Sequence, residues 1–180
     1  MLRLLLLRHA KSDWSGKLGD HERPLAPRGR KAASRMGAYM RARGYEPDLA
    51  LCSTAVRARE TLAFLLPQFS RAPRVEYDHG LYLAEPPRLL TAIRDAPQNG
   101  TALLLVGHNP GLEQLAAALI RPQPDATAKR REDELAEKFP TAALAVIDFD
   151  VAEWSAVAPG SGSLSDFVRP RDLKGAGKDE

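Results

Sequence analysis

The chain has 180 residues, with 26 lysines and arginines, 23 aspartates and glutamates, and one cysteine, Cys52. This length is enough for one well-filled hydrophobic core, so we expect a single domain. The one cysteine excludes an intrachain disulfide and a cysteine-based zinc site, leaves open a disulfide between two chains, and favours a reducing compartment. Because the basic residues are spread along the chain, the composition favours acidic small ligands in a local site over a nucleic-acid-binding face.

The apolar run at residues 4–7 is too short for a signal peptide or a membrane helix. It ends at once in Arg8-His9, and no small-residue cleavage site follows. No stretch of the chain reaches the roughly 20 apolar residues that a membrane helix needs. We therefore expect a soluble, cytoplasmic protein with no membrane partner.

The same apolar segment, taken from residue 2 to residue 7, predicts a first strand that is buried on both faces. Arg8 and His9 follow at its carboxyl end, where open α/β sheets bind their ligands. Residues 10–26 then form a long stretch without hydrophobic periodicity. Since a loop of this length in a compact domain usually has a function, we expect it to form a lid or wall of a site beside Arg8 and His9.

The remaining chain predicts alternating helices and strands, which is typical of an α/β sandwich. Four helices are expected: from Pro27 to Gly44, from a cap at Ser53 or Thr54 to Pro67, over 86–95, and from a cap at Asn109 through residue 120. Further strands are expected at 49–52, 74–77, 102–106, 142–149 and 154–158, the last two as antiparallel neighbours.

Two charged or polar segments complete the pattern. Residues 122–138, with the basic run 129–131, predict a solvated loop and an exposed helix. Residues 159–180 are rich in glycine, serine and charge, which predicts a flexible C-terminal tail. The predicted catalytic domain therefore spans residues 1–158.

Three of the predicted strands end in residues that can carry chemistry. Arg8-His9 follows the first, Gly107-His108 follows the strand at 102–106, and Cys52-Ser53 precedes Arg57 by one helical turn. If these strand ends are neighbours, two histidines and two arginines meet at one edge of the sheet. The motifs contain no carboxylate, so they predict a poor metal site and a good phosphate site, because guanidinium groups match phosphate oxygens.

A neutral imidazole nitrogen is a competent nucleophile at phosphorus. We expect the cations Arg8 and Arg57 to lower the pKa of His9 and keep its ring neutral. The same arginines would hold the equatorial phosphate oxygens during an in-line displacement.

The chain resembles the histidine phosphatase superfamily, which has the phosphoglycerate mutase-like fold. The resemblance covers residues 2–158 in order. Within the superfamily, the chain is most similar to the SixA-like branch of phosphohistidine phosphatases. The motifs that carry it are Arg8-His9-Ala10-Lys11-Ser12, Arg23-Pro24-Leu25, Ser53-x-x-x-Arg57-Ala58-x-x-Thr61 and Gly107-His108-Asn109.

This resemblance implies a three-layer α/β/α sandwich around a central, mostly parallel sheet. It implies that His9 is phosphorylated in a covalent intermediate, that Arg8, Arg57 and His108 bind the phosphoryl group, and that no metal or other cofactor takes part. The expected partner is a phosphorylated protein or a small phosphorylated substrate, with no nucleic acid. Lys11 and Ser12 are candidates for substrate contacts.

The sequence departs from the family pattern at two points. Ala10 replaces the usual glycine after Arg-His, and no motif decides whether Asp78 or Glu85 is the general acid. A phosphohistidine substrate depends less on such an acid, because its leaving nitrogen can already carry a proton. His21 and His79 lie in polar stretches without a partner motif, and we expect neither to take part.

Competing interpretations remain open at this stage. Cysteine-dependent phosphatases place five residues between their cysteine and arginine, whereas Cys52 and Arg57 are separated by four residues with no glycine, so we expect a buried structural cysteine. The alternatives to a protein phosphohistidine phosphatase are a phosphatase of small phosphomonoesters in the same superfamily and a non-catalytic phosphate-binding module. The intact histidine at position 9 favours an enzyme.

Overall fold

A computed structural model describes residues 1–173 and has one six-stranded sheet at its centre. The strands are β1 (Leu2–Arg8), β2 (Leu49–Ser53), β3 (Arg74–Asp78), β4 (Ala102–Gly107), β5 (Leu144–Phe149) and β6 (Gly162–Val168), in the spatial order β3-β2-β4-β1-β5-β6. Strands β1 to β4 are mutually parallel, and β5 runs antiparallel to both β1 and β6. The sheet is therefore mixed, with β5 as its reversed strand.

Helices cover both faces of the sheet, which makes the expected three-layer α/β/α sandwich. The helices are α1 (Pro27–Ala42), α2 (Val56–Leu65), α3 (Pro86–Arg94), α4 (Gly111–Leu119) and α5 (Ala126–Glu137). The core under α3, α4 and α5 contains Leu4 and Leu6, and the core under α1 and α2 contains Leu5 and Leu7. None of these four leucines has exposed surface. The alternation of a strand thus explains why β1 is apolar on both sides.

Several helix ends differ from the expected caps. Helix α2 begins at Val56 after Ala55, and α4 begins at Gly111 after Pro110, so Ser53, Thr54 and Asn109 do not cap them. The peptide bond between Asn109 and Pro110 is cis. The Asn109 amide instead donates hydrogen bonds to the Glu113 carboxylate at 3.0 Å and to the Phe139 carbonyl at 2.9 Å.

The predictions for the C-terminal part are wrong in two places. The segment expected as a strand at 154–158 contains a 3-10 turn, Trp154–Ala156, because the buried Trp154 indole donates to the Gly100 carbonyl at 3.0 Å. The segment expected as part of a flexible tail contains strand β6, which pairs with β5. The domain therefore continues past residue 158 through the 3-10 turn Pro170–Asp172. The part of the expected tail at 174–180 lies outside the described residues.

Burial of both polar and apolar groups holds β6 in the sheet. Leu164, Phe167 and Val168 are buried, and the buried Asp166 carboxylate accepts hydrogen bonds from Tyr39 at 2.7 Å and Tyr45 at 3.1 Å. The local composition of glycine and serine does not indicate these interactions, since their partners lie far away in the sequence.

Within the described residues, no helix is long and apolar enough to span a membrane.

Because β6 is part of the core, replacing Phe167 with alanine should be costly. Phe167 is 5% exposed and packs on the Phe139 ring with a centroid distance of 5.4 Å. We expect Phe167→Ala to lower the free energy of unfolding by about 3–5 kcal/mol in urea titrations. The control Phe64→Ala, at a side chain that is 36% exposed on α2, should cost about 1 kcal/mol or less. Equal small losses for both variants would mean that β6 is not firmly packed.

Candidate active site

The carboxyl ends of β1, β2 and β4 meet at one edge of the sheet and bring the predicted residues together. The His9 and His108 rings lie 5.2 Å apart between centroids. Arg57, one turn into α2, donates from Nε to His9 Nε2 at 3.3 Å and approaches His108 Nδ1 from Nη2 at 3.5 Å. Arg8, the last residue of β1, precedes His9 directly, and its charge acts on both imidazoles. Two histidines and two arginines therefore form one cluster at the strand ends.

The hydrogen bonds of His9 determine which ring nitrogen faces the cluster. His9 Nδ1 lies 2.8 Å from the Ala10 carbonyl, which can only accept, so Nδ1 carries the proton. The Nε2 lone pair then accepts the hydrogen bond from Arg57. Thr61 ties the backbone after His9 to helix α2, because its hydroxyl accepts a hydrogen bond from the Ala10 N–H at 2.9 Å and donates one to the Arg57 carbonyl at 2.6 Å. The chain thus presents an unprotonated Nε2 to the site.

His108 is oriented by Ser53, which the sequence predicts only as a candidate helix cap. Its Nε2 lies 2.7 Å from the Ser53 hydroxyl, and its Nδ1 faces the Arg57 guanidinium, which can only donate. Nε2 is therefore the protonated nitrogen and donates to Ser53. Ser53 ends β2 and is fully buried, so this contact fixes the His108 ring.

Burial keeps both imidazoles neutral. The pKa of His9 is lowered to about 3, mainly by burial, with Arg57 and Arg8 lowering it further. The pKa of His108 is also lowered to about 3, again mainly by burial and then by His9 and Arg57. The arginines, expected from the sequence to be the main cause, do lower both pKa values, but by less than desolvation does.

Arginine side chains supply donors around the imidazoles. Arg8 Nη1 donates to the Phe139 carbonyl at 3.0 Å, whereas Arg8 Nε is buried without a hydrogen-bond partner in the described residues. Arg23 donates to the Ser12 hydroxyl at 2.6 Å, stacks on Trp14 and also has a buried Nε without a described partner. Ser12 is itself buried. A buried donor without a partner is costly, which is consistent with a site built to receive an anion.

An acidic residue already lies against these arginines. Arg57 Nη2 donates to the Asp20 carboxylate at 3.0 Å and Arg57 Nη1 to the Asp20 carbonyl at 2.5 Å, while Arg23 Nη2 donates to Asp20 Oδ1 at 2.8 Å. The Tyr82 hydroxyl also donates to Asp20. These hydrogen bonds, the one from Tyr82 most of all and then the one from Arg23, lower the pKa of Asp20, so its carboxyl is ionised. The sequence does not single out Asp20, because its loop has no periodicity.

Comparison with known proteins gives the family. The model of the histidine phosphatase superfamily (branch 1) matches residues 4–82. The Mycobacterium tuberculosis protein Rv1276c is 41% identical over 167 residues, which is 92% of this chain and 100% of that protein. The chain belongs to the histidine phosphatase superfamily.

Solved structures agree with this assignment. A candidate phosphohistidine phosphatase SixA from Nakamurella multipartitia is 30% identical with a TM-score of 0.79, over 94% of this chain and 96% of that one. A candidate SixA from Agrobacterium tumefaciens is 30% identical with a TM-score of 0.77, over 94% of this chain and 98% of that one. Both share the three-layer fold of this histidine phosphatase.

The two carboxylates left open as general acids lie between the end of β3 and the start of α3 in this histidine phosphatase. Asp78 forms an ion pair with Arg88 and accepts from the Gly80 N–H at 2.7 Å. Glu85 is exposed at the residue before α3. In the described structure neither carboxylate hydrogen-bonds to Arg57 or to a histidine of the cluster. Asp20 is the carboxylate that does contact Arg57.

The remaining candidates have diverse positions. Lys11 is exposed next to the cluster. His21 and His79, which were expected to take no part in the site, both contact the Thr54 hydroxyl, at 2.9 and 3.0 Å. Both rings also pack against the Tyr82 ring. Cys52 is buried, and burial raises the pKa of its thiol to about 12, so it is unreactive. Among residues 1–173, no group of three or more His, Cys, Asp or Glu side chains could hold a metal ion.

The low pKa values predict that neither cluster histidine titrates near neutrality. The Cε1–H chemical shifts of His9 and His108 should stay constant between about pH 8 and about pH 5. Two-dimensional NMR spectra would measure them, with assignments from His9→Gln and His108→Gln. A titration midpoint near about 6.5 for either ring would contradict the buried neutral state.

The same shifts have a consequence for stability. Below about pH 6.5 the unfolded chain binds protons at these histidines while the folded chain does not. The free energy of unfolding should therefore fall as the pH is lowered from there toward the folded-state pKa values of about 3.

Proposed function

We propose that this histidine phosphatase is a metal-independent enzyme that hydrolyses protein phosphohistidine through a phosphorylated His9. Membership of the superfamily supports phosphatase activity. The observation that carries the mechanism is the unprotonated Nε2 of His9, held in contact with Arg57 at 3.3 Å in a site with unpartnered arginine donors. A nucleophile would serve no purpose in a module that only binds phosphate.

The proposed reaction has two displacements at phosphorus. His9 Nε2 attacks the phosphoryl group, a P–N bond forms to His9, and the bond to the leaving group breaks. Water then attacks the phosphorus of phospho-His9, which releases inorganic phosphate and returns the neutral imidazole. Arg8 and Arg57 hold the equatorial oxygens in both steps, and His108 lies beside them.

The proposed cycle requires Asp20 and the substrate to exchange places. The Asp20 carboxylate occupies Arg57 Nη2 and Arg23 Nη2, which are the donors that a phosphoryl group needs. Asp20 belongs to the 3-10 turn Asp20–Glu22 within the loop of residues 10–26. An incoming phosphate, with more charge and more acceptor oxygens than one carboxylate, would displace it.

Among residues 1–173, the one carboxylate that hydrogen-bonds to Arg57, Asp20, is a poor proton donor, and this favours phosphohistidine as the substrate. Asp20 is ionised, and Asp78 is engaged by Arg88 and the Gly80 amide. A phosphoserine leaving group is an alkoxide that needs a proton, whereas the leaving imidazole of phosphohistidine can be protonated before the P–N bond breaks. The names of the two SixA structures that are 30% identical point the same way.

The covalent intermediate can be trapped. Rapid mixing with a ³²P-labelled phosphohistidine peptide should leave a phosphoprotein that is stable in alkali and lost in acid, as expected for a phosphoramidate. His9→Gln should abolish labelling and lower kcat/KM by on the order of 10³-fold or more, and Arg57→Ala should lower it by on the order of 10²-fold.

Two controls accompany this experiment. Cys52→Ala should label normally, because that thiol is buried and protonated. Turnover should persist in EDTA and be blocked by vanadate. Labelling that depends on Cys52, or activity that is lost to the chelator and restored by Mg²⁺, would refute the mechanism.

The substrate preference can be measured with matched peptides. The kcat/KM for a phosphohistidine peptide should exceed that for a phosphoserine peptide of the same sequence by on the order of 10²-fold, because the ionised Asp20 carboxylate at Arg57 is a poor proton donor for the serine alkoxide. Asp78→Asn/Glu85→Gln should change neither value by more than about 3-fold. A preference for phosphoserine or a sugar phosphate that this double variant abolishes would instead identify a phosphomonoester phosphatase with an obligatory acid.

A further inference from the structure

A groove with a strong excess of positive charge opens beside the candidate active site. Its volume is about 440 Å³, within the range of roughly 300–1,000 Å³ that is usual for ligand pockets. Glu137 is the one carboxylate among its lining residues. The cations that line it are Lys11, Arg28, Arg35, Lys138, Arg169 and Arg171. We call this feature the basic groove.

The topology puts the basic groove at the same sheet edge as His9. Val168, the last residue of β6, pairs with Leu144, which pairs with Leu7 of β1, so the residues after β6 emerge at the same sheet edge as Arg8, with β5 between them. The segment before β5 is bonded directly to the cluster: the Phe139 carbonyl accepts from Arg8 at 3.0 Å, and the Ala142 N–H donates to the His9 carbonyl at 3.1 Å. A ligand with its phosphoryl group at His9 therefore has the groove within reach.

Arg28, which α1 contributes to the basic groove, does not stabilise the start of that helix. The first turn of α1 contains no acidic residue, and it carries Arg28 and Arg30 where the positive end of the helix dipole disfavours cations. Gly29 lies so close to the Lys11 carbonyl that a Cβ would be 2.1 Å from its oxygen, so the start of α1 is packed onto the strand end. This arrangement brings Arg28 to the groove at an electrostatic cost, which a negatively charged ligand would offset.

The distribution of the cations indicates the kind of ligand. They come from four separate parts of the chain: the residues after β1, helix α1, the end of α5 and the turn after β6. Arg169 is engaged by Asp172 and Glu134, whereas Arg28, Lys138 and Arg171 are exposed. A single phosphate is bound by convergent buried donors, but a row of carboxylates along a peptide pairs well with cations spread around a groove.

We propose that the basic groove binds an acidic segment of the substrate protein next to its phosphohistidine, and so selects which phosphoproteins are hydrolysed. The proposal rests on the proposed function, since it takes a protein as the substrate. Binding outside the phosphoryl group acts equally on ground and transition states, so the groove lowers KM and leaves kcat nearly unchanged.

The kinetic test uses charge reversal in the basic groove, Arg28→Glu/Arg171→Glu. Three substrates are compared: a phosphohistidine peptide with aspartates and glutamates on both sides, the same peptide with glutamines, and free phosphohistidine. With this variant we expect kcat/KM for the acidic peptide to fall by about 10-fold or more beyond any change seen for the other two substrates. The loss should come from a higher KM. An equal change for all three substrates would overturn the proposal.

A matched control makes the same change in net charge at positions away from the basic groove. Arg121→Glu/Arg130→Glu replaces two exposed arginines that do not line it, one of them beside Gly162 at the opposite sheet edge. This variant should retain the preference for the acidic peptide. If it loses the preference as fully as Arg28→Glu/Arg171→Glu does, long-range charge and not the groove is responsible, and the proposal is wrong.

A binding measurement separates this proposal from the proposed function. A fluorescein-labelled, unphosphorylated acidic peptide should bind the wild-type chain at low salt in anisotropy titrations, and bind Arg28→Glu/Arg171→Glu at least about 10-fold more weakly. This result would support the groove even if the enzyme did not hydrolyse phosphohistidine. Binding of ATP but not of the acidic peptide would assign the groove to small polyphosphates and overturn the proposal.

Discussion

The contact between Arg57 and the buried His9 ring is the interaction on which the rest of the site depends. A guanidinium donates to His9 Nε2 only if that nitrogen is unprotonated, and burial enforces this state by lowering the imidazole pKa to about 3. Burial follows from the position of His9 at the end of β1, the strand whose leucines lie in both cores. The same sheet that builds the hydrophobic core therefore creates the electrostatics of the candidate nucleophile.

Burying Arg57 creates a second constraint, since a guanidinium that is 2% exposed needs acceptors. Asp20 supplies them with its carboxylate and its carbonyl, and Arg23 and Tyr82 hold Asp20 in place. The groups that the proposed substrate would use therefore hold the loop of residues 10–26 against the cluster. In the proposed cycle a phosphoryl group replaces the Asp20 carboxylate, so Arg57 and Arg23 keep a negative partner throughout.

Much of the site could be read from local patterns. Arg8-His9 and Gly107-His108 each follow an unbroken apolar run, and parallel strands of an α/β sheet end at the same edge, so their meeting follows from the strand assignment. Arg57 was found by its distance from the end of β2. The contacts of Asp20, Ser53 and Tyr82 could not be predicted, because each is made to a partner distant in the sequence, from a segment that also suits an ordinary turn or helix cap.

The sequence by itself determined the α/β class, the buried strand β1 and the residues that gather at the strand ends, because hydrophobic periodicity and strand-end position are local properties. Only the tertiary structure decided that residues 162–168 form β6, since Gly, Ser and Asp have low strand preference and the ladder with β5 and the tyrosine partners of Asp166 override it. Only the tertiary structure could reveal the Asp20 anion and the basic groove as well. Both consist of side chains from separate segments, and their charges act on one another through space and not along the chain.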